Sequence, residues 1–122
     1  MKGMDELFHM QREIMEKVPG GDTPEAMAHQ ITCGLGIIEE TLEYLNSIGR
    51  KPWRPDPLPL EKQIEELADI LHFYLELILR SPFTWEDIVI EYARKHAINL
   101  KRYSDGAKGD YSWDTRAEKG EL

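Results

Sequence analysis

The chain has 122 residues, of which 41% are hydrophobic and 31% are charged, as is typical of one globular domain. Its net charge of −8 argues against a nucleic-acid polymer as the partner, because phosphate backbones select basic surfaces. The single cysteine, Cys33, cannot form an internal disulfide and fits a reducing compartment. No run approaches the roughly 20 apolar residues of a membrane span. We therefore expect a cytoplasmic protein that binds neither nucleic-acid polymers nor membranes.

The first half of the chain predicts two helices. Apolar residues recur at helical spacing over residues 5–17, which indicates the first helix. The segment PGGDTPEAM then interrupts this pattern, with Asp22 or Thr23 as the N-cap of a second helix. That helix runs to about residue 48 and ends at Gly49.

The second half predicts a loop and two further helices. Four prolines in the segment GRKPWRPDPLPL forbid a helix and favour an extended loop. A third helix follows over about residues 60–79. A fourth begins after a capping box formed by Thr84 and Asp87 and runs to about residue 103. No segment predicts a strand, so we expect one all-α domain over residues 1–106 and a polar tail over residues 107–122.

Acidic residues cluster on one face of each of the two middle helices. At about 100° per residue, one arc of the second helix holds Glu39, Glu40 and Glu43. The third helix repeats this arrangement with Glu65, Glu66 and Asp69. Because the third helix is apolar nearly all round, we expect it to be buried on most sides and its carboxylates to be buried with it. Small residues on the acidic side of the second helix predict open space there: Thr32, Gly36 and Ser47.

If four carboxylates lie close together, their negative charge must be compensated. Two of them about 4 Å apart repel by roughly 4 kcal/mol at an effective dielectric constant near 20. Such a group either takes up protons or binds a cation, and oxygen ligands in this number suit Mg²⁺ first and Mn²⁺ second. The simpler alternative is a pair of solvated helix faces, but the repetition on two helices joined by a short loop favours a metal site. The candidate ligands are Glu40, Glu43, Glu66 and Asp69.

The fourth helix and the proline-rich loop add candidates for contacts with an anion and a base. Lys95, Asn99 and Arg102 lie within an arc of roughly 60° on the fourth helix. This face either holds a polyphosphate by charge-assisted hydrogen bonds or is a solvated helix side. In the loop, Trp53 either stacks on a nucleobase or covers the end of the bundle. It lies among three cations: Arg50, Lys51 and Arg54.

These residues carry a family resemblance. The pair Glu40-x-x-Glu43 and Glu66-x-x-Asp69 resembles the paired acidic signature of the all-α nucleoside triphosphate pyrophosphatases, which include MazG-like enzymes and dimeric dUTPases. The segments MDELFHMQREIM, ELADILHFYLELIL and YARKHAINLKRYSDG are most similar to the dimeric dUTPase branch. The resemblance covers residues 4–106. It implies a bundle of four to five helices, assembled as a homodimer or homotetramer whose active sites are completed between subunits.

The resemblance also implies an activity and roles for particular residues. The activity is Mg²⁺-dependent hydrolysis of a nucleoside triphosphate to the monophosphate and pyrophosphate. The four candidate carboxylates would bind the metal ions, Lys95, Asn99 and Arg102 would bind the phosphates, and Gln11 would lie at the base end of the pocket. Either Glu39 or Glu40 would accept the proton of the attacking water.

Several alternatives stay open at this point. The short chain and Ile14, one turn after Gln11, leave the base undecided between dUTP, a purine deoxynucleotide and a broad set of triphosphates. A di-iron carboxylate bundle would use Glu6-x-x-His9 and Asp69-x-x-His72, but such bundles need Glu-x-x-His on two core helices. A non-catalytic helical regulatory module is the remaining alternative.

Overall fold

The computed structural model describes residues 1–18 and 26–107. In chain order its helices are α1 (Met4–Lys17), α2 (Ala26–Ser47), α3 (Leu60–Arg80) and α4 (Trp85–Ala107). This part of the chain contains no strand, which confirms the all-α prediction. The predicted bounds of α1 and α3 are correct to within one residue, and α4 extends four residues further than predicted. The predicted N-cap of α2 and residues 108–122 of the predicted tail lie outside the described residues.

The chain divides into two compact units. The first covers residues 1–83 and contains α1, α2 and α3; the second contains α4. None of the helices in the described ranges is both long and apolar enough to cross a membrane.

Within the first unit, α2 and α3 form an antiparallel pair. Near the middle of α2 the Phe73 ring lies against Gly36, where an added Cβ would come within 2.6 Å of the ring. At the C-terminus of α2 the Leu58 backbone N–H donates to the Ser47 carbonyl oxygen at 2.8 Å. Glycine therefore allows the two helices a close approach.

Helix α1 packs against α3 and closes a small core. Its buried residues are Phe8 and Gln11. The buried apolar side chains of the described residues are Phe8, Cys33, Leu75 and Ile78. The core thus lies where α1 meets the C-terminal half of α3 and the neighbouring part of α2.

The expectation that α3 is buried on most sides was wrong for the single chain. Leu75 and Ile78 are its buried residues, whereas Ile64 is 65% exposed. Its carboxylates at the metal site are not fully buried either, since Glu66 is half-buried and Asp69 is exposed. The physical reason is that α1 reaches the C-terminal half of α3 and leaves the outer side of the N-terminal half uncovered.

The loop between α2 and α3 is held by backbone contacts. Gly49 has a φ of +85°, and a Cβ at this position would clash with the Pro55 carbonyl oxygen. The Arg50 N–H donates to the Leu45 carbonyl oxygen at 3.1 Å, which closes the C-terminus of α2. This geometry explains why the glycine predicted to end α2 stands there.

The second unit confirms the predicted capping box of α4. The Thr84 N–H donates to Asp87 Oδ2 at 2.9 Å, and the Asp87 N–H donates to Thr84 Oγ1 at 3.2 Å. These two bonds satisfy donors that would otherwise lack partners at the start of the helix.

Candidate active site

Three of the four predicted metal ligands come together where α2 faces α3. One carboxylate oxygen from each of Glu40, Glu66 and Asp69 lies within 4.8 Å of the others. Glu40 follows Gly36 by one turn of α2, and Asp69 precedes Phe73 by one turn of α3. The close contact between Gly36 and Phe73 thus sets the helix spacing from which the carboxylates converge.

Within this three-carboxylate group, burial and the neighbouring carboxylates change the pKa of Glu40. Burial raises the pKa of the Glu40 carboxyl group, and its hydrogen bond with Glu66 raises that pKa further. The negative charges of Asp69, Glu66 and Glu43 act in the same direction. The group offers carboxylate oxygens alone, a donor set that fits a hard divalent cation such as Mg²⁺.

The fourth predicted ligand, Glu43, lies beside this group rather than within it. Together with Glu66 it lines a cavity of about 390 Å³ near the α2–α3 loop. Glu39 is exposed and also lies outside the three-carboxylate group. The remaining residues that line the cavity are Asn46, Ser47, Lys51, Arg54, Asp56 and Leu58.

The space predicted on the acidic side of α2 is partly filled. The Phe73 ring occupies the position beside Gly36, so this part of the prediction was wrong. Thr32 is exposed, and Ser47 lines the cavity although only 1% of it is exposed. A helical wheel shows which side of a helix carries small residues. Whether space remains beside them depends on the side chains of the partner helix.

Gln11 belongs to a hydrogen-bonded network in the core. It is 3% exposed, and its Nε2 donates to Glu76 Oε1 at 3.2 Å. Its Oε1 lies 2.9 Å from His72 Nδ1, and because Oε1 can only accept, the histidine nitrogen is the donor. No local sequence pattern points to Glu76, because its partner Gln11 lies 65 positions away in the chain.

Glu76 also binds Cys33 and Arg80 through its other oxygen. Cys33 Sγ donates to Glu76 Oε2 at 3.3 Å, and Arg80 Nε donates to the same atom at 3.0 Å. Burial raises the pKa of the Cys33 thiol to about 12, with the hydrogen bond to Glu76 as the next cause. Cys33 is therefore protonated at neutral pH and is a buried core residue rather than a nucleophile.

Trp53 stands out from the first unit on the α2–α3 loop. It is 74% exposed, so the alternative in which it covers the end of the bundle does not describe its side chain in this chain. Lys51 Nζ lies 5.9 Å from the centroid of the indole ring. The side chain has the accessibility that stacking on a base requires.

The predicted phosphate-binding residues all lie on α4, in the second unit. Arg102 Nη2 donates to Asn99 Oδ1 at 3.3 Å, and its guanidinium carbon lies 5.5 Å from the centroid of the Tyr103 ring. Lys95 is exposed. Asn99 and Arg102 thus form a local pair on α4.

Comparison with known proteins adds one finding. A family model described as dUTPase matches residues 3–84. This range includes all four predicted metal ligands and ends before Lys95, Asn99 and Arg102. No curated protein and no solved structure matches the chain. Because the model covers more than half of the sequence, the chain belongs to the all-helical dUTPase family.

Proposed function

We propose that the chain is a Mg²⁺-dependent pyrophosphohydrolase that converts dUTP, or another deoxynucleoside triphosphate, to the monophosphate and pyrophosphate. The observation that carries this proposal is the convergence of Glu40, Glu66 and Asp69 within 4.8 Å, inside the region that matches the dUTPase family. Mn²⁺ is the second candidate metal. Purine deoxynucleotides and a broad set of triphosphates are the alternative substrates.

The carboxylates hold the metal in this proposal. Glu40, Glu66 and Asp69 are the first ligands, and Glu43 joins them from the neighbouring cavity wall. When bound, Mg²⁺ supplies a Lewis acid that acidifies water and neutralises phosphate charge.

We assign the proton-accepting role to Glu39 rather than Glu40. A carboxylate that binds a metal has its lone pairs engaged and is the poorer base, and Glu40 belongs to the three-carboxylate group. Glu39 is its neighbour in sequence, is exposed and lies outside that group.

The remaining roles concern orientation of the nucleotide. Lys95, Asn99 and Arg102 bind phosphate oxygens by charge-assisted hydrogen bonds. Trp53 stacks on the base, which its 74% exposure supports. Gln11 lies at the base end of the pocket in this proposal, where Glu76 and His72 hold its amide in place and leave one N–H donor and one acceptor lone pair unused.

The test is a panel of the canonical deoxynucleoside triphosphates and dUTP with Mg²⁺, in which pyrophosphate and orthophosphate are measured separately. We expect pyrophosphate, and a fall in kcat of about a hundredfold or more for Asp69→Asn, because a metal ligand supplies several kcal/mol of transition-state stabilisation. The matched control is Glu65→Gln on the same helix. This exposed residue pairs with Lys62 at 3.6 Å and lies outside the three-carboxylate group.

Two results would contradict the proposal. Release of orthophosphate without pyrophosphate would mean that another bond is broken. A chain that releases neither product and whose melting temperature does not respond to Mg²⁺ would be the non-catalytic helical module considered as the alternative.

A further inference from the structure

The cavity next to the three-carboxylate group has walls of opposite charge. Glu66 belongs to both the group and the cavity wall, so the two adjoin directly. The other charged residues of the wall are Glu43, Asp56, Lys51 and Arg54. Acids and cations therefore share a space of about 390 Å³, large enough for a small polar ligand.

The two cations of this wall have no anionic partner. In the part of the chain that the structure describes, neither Lys51 nor Arg54 forms an ion pair. A third cation of the same loop behaves differently, since Arg50 donates to Asn46 Oδ1 through both Nε and Nη2, at 3.2 and 3.0 Å. Arg50 is thus bound within the loop, whereas Lys51 and Arg54 line the cavity. The Lys51 ammonium also has a loop contact that competes with the cavity, the Trp53 ring, whose centroid is 5.9 Å from Nζ.

The loop backbone fixes where these cations lie. The Arg54 N–H donates to the Lys51 carbonyl oxygen at 2.9 Å, which places both residues on one tight turn. Gly49 anchors the start of the loop through a φ of +85° that other residues rarely adopt. Leu58 anchors its end by donating to the Ser47 carbonyl oxygen at 2.8 Å. The two cations therefore stand on a turn that is anchored at both ends, which lowers the entropic cost of binding an anion.

We infer that Lys51 and Arg54 form an anion-binding wall that holds the phosphates of the nucleotide, or the pyrophosphate released from it, against the metal site. This inference rests on the proposed function, because it assigns the phosphates of that substrate. A metal-bound polyphosphate is positive at the metal and negative at its outer oxygens, which matches carboxylates on one wall and cations on the other. The wall lies inside residues 3–84, the range that matches the dUTPase family.

The experiment measures the binding of inorganic pyrophosphate in Mg²⁺ buffer by isothermal titration calorimetry. We expect Kd to rise about tenfold or more in Lys51→Met/Arg54→Met, because the variant loses the charge-assisted hydrogen bonds to the anion. We also expect the wild-type Kd to rise with ionic strength. Arg50→Met is the matched control, since it removes a loop cation that does not line the cavity, and its Kd should stay at the wild-type value.

A second measurement separates the anion wall from the metal site. Mn²⁺ binding, followed by electron paramagnetic resonance, should be unchanged in Lys51→Met/Arg54→Met, and circular dichroism should show wild-type helix content. A wild-type pyrophosphate Kd in the double variant would overturn the inference even if the enzyme hydrolyses dUTP. Conversely, a chain that hydrolyses no triphosphate but binds pyrophosphate through Lys51 and Arg54 would overturn the proposed function and support the anion wall.

Discussion

Among the single residues of the site, Glu40 is a carboxyl group whose charged form is destabilised by its surroundings. Its folded-state pKa is raised above the ordinary value of 4.5, by burial first and by the neighbouring carboxylates next. A raised folded pKa contributes stability that is fully present below 4.5 and is lost as the pH rises through the folded value. The metal-free protein is therefore strained at neutral pH by the charge that a metal ion would compensate.

The raised pKa of Glu40 predicts opposite effects of Glu40→Gln on the melting temperature without and with metal. An amide resembles the protonated carboxyl group, so the metal-free variant should melt at a higher temperature than the metal-free wild type at neutral pH. Added Mg²⁺ should raise the melting temperature of the wild type by mass action and should raise that of the variant much less. Differential scanning fluorimetry with and without Mg²⁺ measures both effects.

The pH series and a surface control complete this test. The advantage of Glu40→Gln should shrink as the pH falls towards 4.5, because the wild-type carboxyl group then takes up its proton. Glu65→Gln should change neither curve. A variant that melts below the wild type at neutral pH and keeps the full Mg²⁺ response would show that Glu40 is neither strained nor a ligand.

The helix faces shared by the candidate ligands were predictable, because they depend only on the spacing of residues within one helix. Glu40 and Glu43, and likewise Glu66 and Asp69, lie three positions apart on a helix, so their shared face follows from the helical period. The network through Glu76 depends on contacts across 65 and 43 positions, which no local period encodes.

At the scale of elements, the spacing of α2 and α3 depends on one glycine. The Phe73 ring lies where a Cβ at position 36 would be, at 2.6 Å. This contact lies one turn from Glu40 and one turn from Asp69, so helix spacing and site geometry are linked.

We predict that Gly36→Ala destabilises the protein and weakens the metal site. Forcing the ring or a helix to move should lower the free energy of unfolding by about 1–3 kcal/mol, because overpacking a close contact strains both partners. Urea denaturation gives the stability, and the Mg²⁺-induced shift in melting temperature gives the effect on the site.

A compensating substitution tests the cause. Gly36→Ala/Phe73→Leu removes the ring that meets the new methyl group, so it should recover part of both losses relative to Gly36→Ala. Gly34→Ala on the same helix is the control, because a Cβ there meets nothing within 4 Å. Equal effects of Gly34→Ala and Gly36→Ala would remove the argument for a close helix contact.

The start or end of a helix was predictable from the sequence where the capping residues are close neighbours in the chain. Thr84 and Asp87 form the capping box that their spacing predicts, and Gly49 ends α2 as expected. The cavity beside Lys51 and Arg54 was not predictable, because the path of a proline-rich loop depends on long-range contacts such as Leu58 with Ser47.

At the scale of the whole molecule, both central helices carry apolar stripes that the single chain leaves exposed. On α2, Ile31, Leu35, Ile38 and Leu42 are each at least 45% exposed. Ile38 lies roughly 160° around the helix from Gly36, so this stripe faces away from α3. The first twelve residues of α3 add a second stripe, formed by Leu60, Ile64, Leu67 and Leu71. Amphipathicity predicts an apolar face but does not identify the partner that covers it, so only the family resemblance pointed to a second subunit.

We propose that a second copy of the chain covers the α2 and α3 stripes in a homodimer or homotetramer, because adjacent apolar stripes of this extent are typical of subunit interfaces. The α2 stripe is the part to test. Leu35→Glu/Ile38→Glu should dissociate the assembly, because each buried leucine-sized side chain contributes about 1.5–3 kcal/mol and a buried unpaired carboxylate costs several more. Size-exclusion chromatography with multi-angle light scattering should show a wild-type mass of two or four chains and a mass of one chain for the variant. Thr32→Glu is the matched control, since it adds a charge to an exposed α2 position on the acidic side and should leave the mass unchanged. A monomeric wild type, or a double variant that keeps the wild-type mass, would mean that this stripe is not the interface.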